Sequence, residues 1–300
     1  MTRALLIMGP TASGKSALGL ALAERLDGEI VNADSMQVYR DLRVLSARPS
    51  PEEEARAAHH LFGHVDAGER YSTGRWLADA AQAIAAIQAR GRRPILVGGT
   101  GLYFKALTEG LAPAPPGTPA IRARLNAELA AIGAAGLHAR LAALDSAAGE
   151  RIRPSDPARI VRALEVHESG GQIAALTQKE APLLTEWRGF VLAPERAALY
   201  RAIEARFDQM LAAGALEEAR ALAARGLDPD LPAVKAHGLP PLSAHLRGEI
   251  GLEEAAARAK QDTRRYAKRQ FTWINHQNAG WIRIEAAGLE ERIGQVLARL

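Results

Sequence analysis

No cysteine occurs in the 300 residues. This excludes disulfides, thiolate-held zinc and a cysteine nucleophile together, and it fits a reducing compartment. Long apolar runs are missing as well, since no segment approaches the roughly 20 uninterrupted apolar residues of a membrane span. The apolar stretch in the opening MTRALLIMGP is too short for the core of a secretion signal and reads as a buried first strand. A cytoplasmic protein without membrane contact is expected. The eight histidines, the pair His59–His60 included, lack an HExxH-like or other metal spacing and read as structural. No internal repeat is visible.

What is present suits a globular protein. Apolar residues make up 48% and charged residues 24%, material for a real core. The length allows a main domain carrying a smaller insert. A net charge of +4 says little about partners by itself, so the distribution of charge matters more.

The N-terminal third alternates strand and helix. ALLIM (4–8), EIVNAD (29–34) and RRPILVGGT (92–100) read as buried strands, and SALGLALAERL and TGRWLADAAQAIAAIQARG (73–91) as amphipathic helices. Such alternation predicts an α/β fold, a parallel sheet flanked by helices. Four prolines in GLAPAPPGTP (110–119) then mark a boundary. Beyond it, IRARLNAELAAIGAAGLHARLAALD and ARIVRALEVHESGG read as helices of an all-helical insert, the second entered through PSDP. GFVLAP (189–194) predicts a strand returning to the sheet. Long helices follow over 196–214 and 253–276, with a proline-rich loop, LDPDLPAVKAHGLPP, between them. The division expected is a core over 1–112 and 185–300 around an insert over 113–184.

The strongest motif is GPTASGKS. Gly9, Pro10, Thr11, Ala12, Ser13, Gly14, Lys15 and Ser16 fit the phosphate-loop pattern, after a predicted strand and before a predicted helix. Glycines let backbone N–H groups converge on phosphate oxygens, the helix N-terminus adds its dipole, and Lys15 adds a full charge. Ser16 is placed to ligate Mg²⁺. Such loops commonly bind ATP or another nucleotide, yet the pattern itself recognises only a diphosphate and its metal. NTP hydrolases usually add an acid after an apolar strand, and here PILV runs into GGTGLY without one. The remaining acid is Asp34, which reads as a metal-associated acid, a general base or a turn cap.

Basic residues form the third signal. Six Lys or Arg and one acid, Asp262, lie between Arg258 and Arg269. Lys260, Arg264 and Lys268 share one helix face, and Tyr266 and Trp273 another. Basic residues beside aromatics suit a nucleic-acid backbone, or else form a solvated face over core aromatics. Arg122, Arg124, Arg159 and Arg162 lie on the predicted insert, and Arg201 and Arg206 on the helix after it. Together they suggest a polyanion longer than a nucleotide.

Seven stretches in order resemble the tRNA dimethylallyltransferase family, also called tRNA isopentenyltransferases: GPTASGKS (9–16), NADSMQVYRDL (32–42), HHLFGHVD (59–66), ILVGGTGLYFKAL (95–107), DPARIVRALEV (156–166), IEARFDQML (203–211) and AKRQFTWI (267–274). The resemblance implies a P-loop NTPase-like core with a helical insertion that grips the tRNA anticodon stem. It implies transfer of a dimethylallyl group from dimethylallyl diphosphate to N6 of the adenosine 3′ of the anticodon, with Mg²⁺, by a monomer. By motif match, Asp34 resembles the base for that amine, and Thr11 and Arg206 the diphosphate contacts. Positions matching tRNA contacts are Asp34, Ser35, Met36, Gln37, Thr100, Arg122, Arg159, Arg162, Lys268, Arg269 and Gln270. The chain differs from the family where Leu239-Pro240 follow His237-Gly238 in place of a Tyr-Arg pair, with Lys235 the nearest remaining cation. It also has Ala158 for a common Gln and Asn275 for a common Arg. A small-molecule kinase using ATP would explain the loop but not the basic segments, and a non-catalytic RNA-binding protein would leave Lys15, Ser16 and Asp34 without a role.

Overall fold

The computed structural model describes residues 3–300. It contains strands β1 (Ala4–Met8), β2 (Gly28–Asn32), β3 (His59–His60), β4 (Arg93–Gly98), β5 (Trp187–Leu192) and β6 (Ile282–Ile284). The helices are α1 (Lys15–Arg25), α2 (Pro51–Arg56), α3 (Thr73–Ala89), α4 (Gly101–Glu109), α5 (Pro119–Leu144), α6 (Ser146–Arg151), α7 (Pro157–Glu168), α8 (Arg196–Ala212), α9 (Ala215–Ala224), α10 (Leu239–Leu246), α11 (Leu252–Gln277) and α12 (Leu289–Leu297). The chain divides into two compact units, residues 109–183 and everything else described.

The larger unit is built on one sheet in the order β3-β2-β4-β1-β5-β6, with every neighbouring pair parallel. The α/β class expected from the alternation is what the chain adopts. All five residues of β1 are fully buried because both faces of the sheet are covered. Leu5 and Ile7 pack with Leu18 and Leu22 of α1 and Ile293 and Val296 of α12. Ala4, Leu6 and Met8 face the opposite cluster, which draws on α3, α4, α9, α10 and α11. With β1 between β4 and β5, the loops leaving β1, β2 and β4 open at one end of the sheet. There β2 and β4 run so close that a Cβ on Gly98 would lie 2.0 Å from the Ala33 carbonyl oxygen, so only glycine fits.

The smaller unit is helical. α7 is capped by Asp156, whose side chain accepts from the Arg159 amide. α5 bends at Gly133 (φ 71°, ψ 173°), dividing the stretch that reads as one helix. Among the described residues α5 alone is long and apolar enough in composition to cross a membrane. The break at Gly133 splits it, and Arg124, Glu128 and Arg140 along it join a network with Glu168. Under α5 and α7 lie Leu125, Leu137, Leu141, Ile160 and Leu164.

Several local readings change. The proline-rich loop ends at Gly238, and α10 begins with Leu239, Pro240 and Pro241, because proline in a first helical turn removes only amides that have no helical partner. The helix α4 and the two-residue strand β3 also carry no periodic signal long enough to read. β3 puts His60 against buried Glu29, which also takes two hydrogen bonds from Arg90 at 2.7 and 3.0 Å. Those bonds from Arg90, then His60, hold the Glu29 carboxyl below its usual range. A depressed carboxylate contributes stability above its unfolded value and loses it as pH falls through the folded one. Glu29→Gln is expected to cost about 1–2 kcal/mol at pH 7. The difference from wild type should shrink in thermal unfolding as pH falls below the ordinary glutamate value of about 4.3, and vanish only below the depressed value of the folded state.

Candidate active site

The phosphate loop follows β1 and closes by a turn in which the Ser13 amide donates to Pro10 O at 3.2 Å. Its curvature requires left-handed backbone at Ala12 (φ 61°) and Gly14 (φ 85°). Gly14 caps α1, whose first residue is Lys15. Lys15 is buried and its ammonium reaches only Pro10 O, at 3.4 Å. Burial lowers its pKa to about 8, with Asp34 pulling it up and Arg206 down. The Ser13 hydroxyl is buried without a hydrogen-bond partner, and Ser16 is exposed at the first turn. The loop is tied down from outside by Gln270 of α11, which accepts from the Thr11 amide at 2.9 Å and donates to Gly99 O at 3.0 Å.

Asp34 lies two residues past β2, and its backbone is caged by one fully buried carboxamide. Asn32 accepts from the Asp34 amide at 2.8 Å and donates to the carbonyls of Asp34 and Leu61 at 2.9 and 3.1 Å. Beneath, the Trp76 indole donates to Asn32 O at 2.9 Å and stacks on Tyr103 with centroids 4.0 Å apart. One Asp34 oxygen, Oδ1, accepts from the Met36 amide at 3.0 Å. Thr100 joins the β4 and β2 exits: its hydroxyl accepts from the Ser35 amide at 2.9 Å, and its own amide donates to Ala33 O.

The electrostatic surroundings of Asp34 come from five elements. Its carboxylate acts on Lys15, on Arg206 of α8, on Tyr103 of α4, on Tyr266 of α11 and on His237. Among the described residues Arg206 has no hydrogen-bond or ion-pair partner, and desolvation disfavours its charge while Asp34, then Glu53, favours it. Burial, then Asp34, pushes the phenols of Tyr103 and Tyr266 up. His237 is held down chiefly by burial and lies against Tyr266, ring centroids 4.3 Å apart. Among the described residues, two cations without carboxylate partners are therefore coupled to one acid, and the loop that carries Lys15 also holds an orphaned hydroxyl. That donor set fits a multiply charged anion beside a group that can take a proton.

Thr11, Lys15, Ser16, Asp34 and Arg206 are thus gathered at one end of the sheet, with Ser35 and Thr100 at the same rim. Two residues expected at a tRNA surface are turned inward. Gln37 is buried and donates to Ser46 O and Ala47 O, and Gln270 is buried on the loops, because a buried carboxamide must satisfy its own polar atoms first. The basic stripe is also shorter than it reads. Lys260 and Arg264 pair with Asp208 and Glu204 of α8, which leaves exposed Lys268 and Arg269 without ion-pair partners among the described residues. Lys235 pairs with Asp230 at 2.8 Å. In the helical unit, Arg122 and Arg162 hold the buried carboxylate of Glu165, whereas Arg159 is exposed beside Asp156. Asn32, Trp76, Tyr103, Tyr266 and His237 shape the site without having been read as part of it. Asn32 had a signal, an amide two residues before an acid at a strand end, while Tyr266 stood out only beside the basic stripe and His237 only where the chain departs from the family.

Removing the Gln270 staple gives a direct test of this arrangement. Gln270→Leu leaves the Thr11 amide and Gly99 carbonyl unpaired and is expected to cost about 2–4 kcal/mol in denaturant unfolding. Inorganic diphosphate binding by calorimetry should weaken at least about fivefold, on the order of 1 kcal/mol.

Comparison with known proteins follows the same residues. The family model for IPP transferase matches residues 37–277, and one for isopentenyl transferase matches residues 2–62. A tRNA dimethylallyltransferase of Nitrobacter hamburgensis is 58% identical over 278 residues, covering 91% of this chain and 88% of its own. One from Maricaulis maris is 54% identical, covering 98% and 96%. Among solved structures, the tRNA isopentenylpyrophosphate transferase of Bacillus halodurans shares 33% identity with a TM-score of 0.72, covering 100% of this chain and 95% of its own. A eukaryotic dimethylallyltransferase acting on tRNA shares 26% identity with a TM-score of 0.83, covering 100% and 77%.

Proposed function

The chain belongs to the IPP transferase family, and from that premise we propose that it transfers a dimethylallyl group from dimethylallyl diphosphate to N6 of the adenosine 3′ of a tRNA anticodon, releasing diphosphate. The observation that carries the reading is a pair of cations, buried Lys15 and half-buried Arg206, that have no carboxylate partner among the described residues and on which the Asp34 carboxylate acts.

The adenine amine is a poor nucleophile because its lone pair is delocalised into the ring. As the N–C bond forms and the C–O bond to diphosphate breaks, positive charge grows on N6 and negative charge on the leaving oxygens. Asp34 takes the N6 proton, and the Asn32 cage keeps its backbone in place while it does so. Lys15, Arg206 and the amides at the start of α1 stabilise the departing diphosphate, with Thr11 at the edge of the loop. The exposed Ser16 hydroxyl is the residue that would hold Mg²⁺, which supplies further charge neutralisation on the diphosphate when bound.

The target base must leave its stack to reach Asp34, at a cost of a few kcal/mol. The rings of His237 and Tyr266, tilted 38° to each other, offer it aromatic contact beside the acid, and Ser35, Met36 and Thr100 line the same rim. Lys268 and Arg269 provide open cations for the tRNA backbone, and exposed Arg159 of the helical unit, now in a surface ion pair with Asp156, is a further candidate. The helical unit serves the anticodon stem, and the enzyme works as a cytoplasmic monomer.

Purified protein, unmodified tRNA with adenosine at the target, dimethylallyl diphosphate and Mg²⁺ should give tRNA one prenyl group heavier by mass spectrometry. Phosphorylation of a small molecule by ATP without that gain would instead establish a kinase. Asp34→Asn should lower single-turnover transfer by about 10²–10⁴-fold and leave tRNA affinity within about threefold, a shift below 1 kcal/mol. A large loss of tRNA binding would make Asp34 a recognition residue.

A further inference from the structure

The last helix, α12, has no role in the chemistry above, yet one of its side chains reaches the phosphate loop. Arg292 donates through Nε to Ala286 O at 2.7 Å and through Nη1 to Ser13 O at 3.0 Å. Its guanidinium also lies against Gly14, where an added Cβ would come within 2.6 Å of Nη1. Among the described residues no carboxylate lies at ion-pair distance from it. Glu290, on the same helix, is taken by Arg25 at 2.7 Å, and burial alone accounts for the disfavoured charge of Arg292.

The geometry at Ser13 has a specific consequence. A trans peptide points its carbonyl and its N–H in opposite directions within one plane. Fixing Ser13 O from outside therefore fixes the direction of the Gly14 N–H, the first of the amides that lead into α1. Gln270 fixes the other end of the loop through the Thr11 amide, so the loop is held on both sides.

We propose that Arg292 is a positioning residue for the diphosphate, holding the Ser13–Gly14 peptide in its anion-binding orientation and setting an unneutralised positive charge beside it. The proposal rests on the loop being a diphosphate site, as argued above. Glycine at position 14 then has two reasons: its positive φ and the guanidinium packed against it.

Binding of inorganic diphosphate at constant Mg²⁺, measured by calorimetry, separates the two ideas. If the wild-type protein does not bind diphosphate, the reading of the loop fails. If it binds, Arg292→Met should weaken diphosphate roughly tenfold, the loss expected for one charge-assisted hydrogen bond. KM for dimethylallyl diphosphate should rise in step, while KM and affinity for tRNA stay put. Arg292→Lys, which keeps the charge but cannot bridge both carbonyls, should weaken binding by about two- to fivefold, an intermediate loss. Diphosphate affinity within twofold of wild type in a folded Arg292→Met protein overturns the proposal, as does a parallel loss of tRNA affinity. Should Arg292→Met fail to fold, unchanged affinity in Arg292→Lys overturns it.

Discussion

At the end of a parallel sheet the backbone groups of the departing chain lose their ladder partners, and every buried one must find another. In this protein two carboxamides meet that need. Asn32 closes the exit of β2 around Asp34, and Gln270 reaches from α11 to join the β1 and β4 exits through Thr11 and Gly99. The consequence is mechanical. Loops that would be free to move become fixed relative to the sheet, and the acid and the phosphate loop acquire a defined separation.

On that rigid frame the electrostatics are unbalanced. Lys15 is removed from water and Arg206 is half-buried, neither with a carboxylate at ion-pair distance among the described residues, while Asp34, which acts on both, accepts a backbone hydrogen bond at Oδ1. Burying charge in this way costs stability that a more neutral loop would keep. The imbalance is what an incoming diphosphate would correct, so the cost is offset when the ligand arrives and again as charge develops on the leaving group. Elsewhere in the chain arginines are neutralised. Arg122 and Arg162 share Glu165, and Arg140 bridges Glu128 and Glu168, which stiffens the helical unit.

Much of the fold was legible because buried parallel strands are continuous apolar runs. ALLIM, PILV and GFVL announce themselves, and the glycine loop between ALLIM and α1 places an anion site without further help. Legibility ended where partners are distant in sequence. β3 is too short to show a period and exists because Val31 and Ile30 offer it an edge. α10 hid behind two prolines that belong to its first turn. Lys260 and Arg264 resemble an RNA-binding stripe until α8 brings Asp208 and Glu204 against them.

The sequence by itself determined the sheet, the phosphate loop, the acid at residue 34 and the family, since each depends on local pattern and residue type. Tertiary structure decided which polar side chains remain open to a ligand. Gln37, Gln270, Lys260 and Arg264 are committed to partners within the chain, whereas among the described residues Arg206, Lys268 and Arg269 have no ion-pair partner and Lys15 reaches a carbonyl in place of a carboxylate. The reason is that a hydrogen bond or ion pair belongs to two residues, and for these pairs the partner lies tens to hundreds of positions away or in a loop whose path no local preference sets.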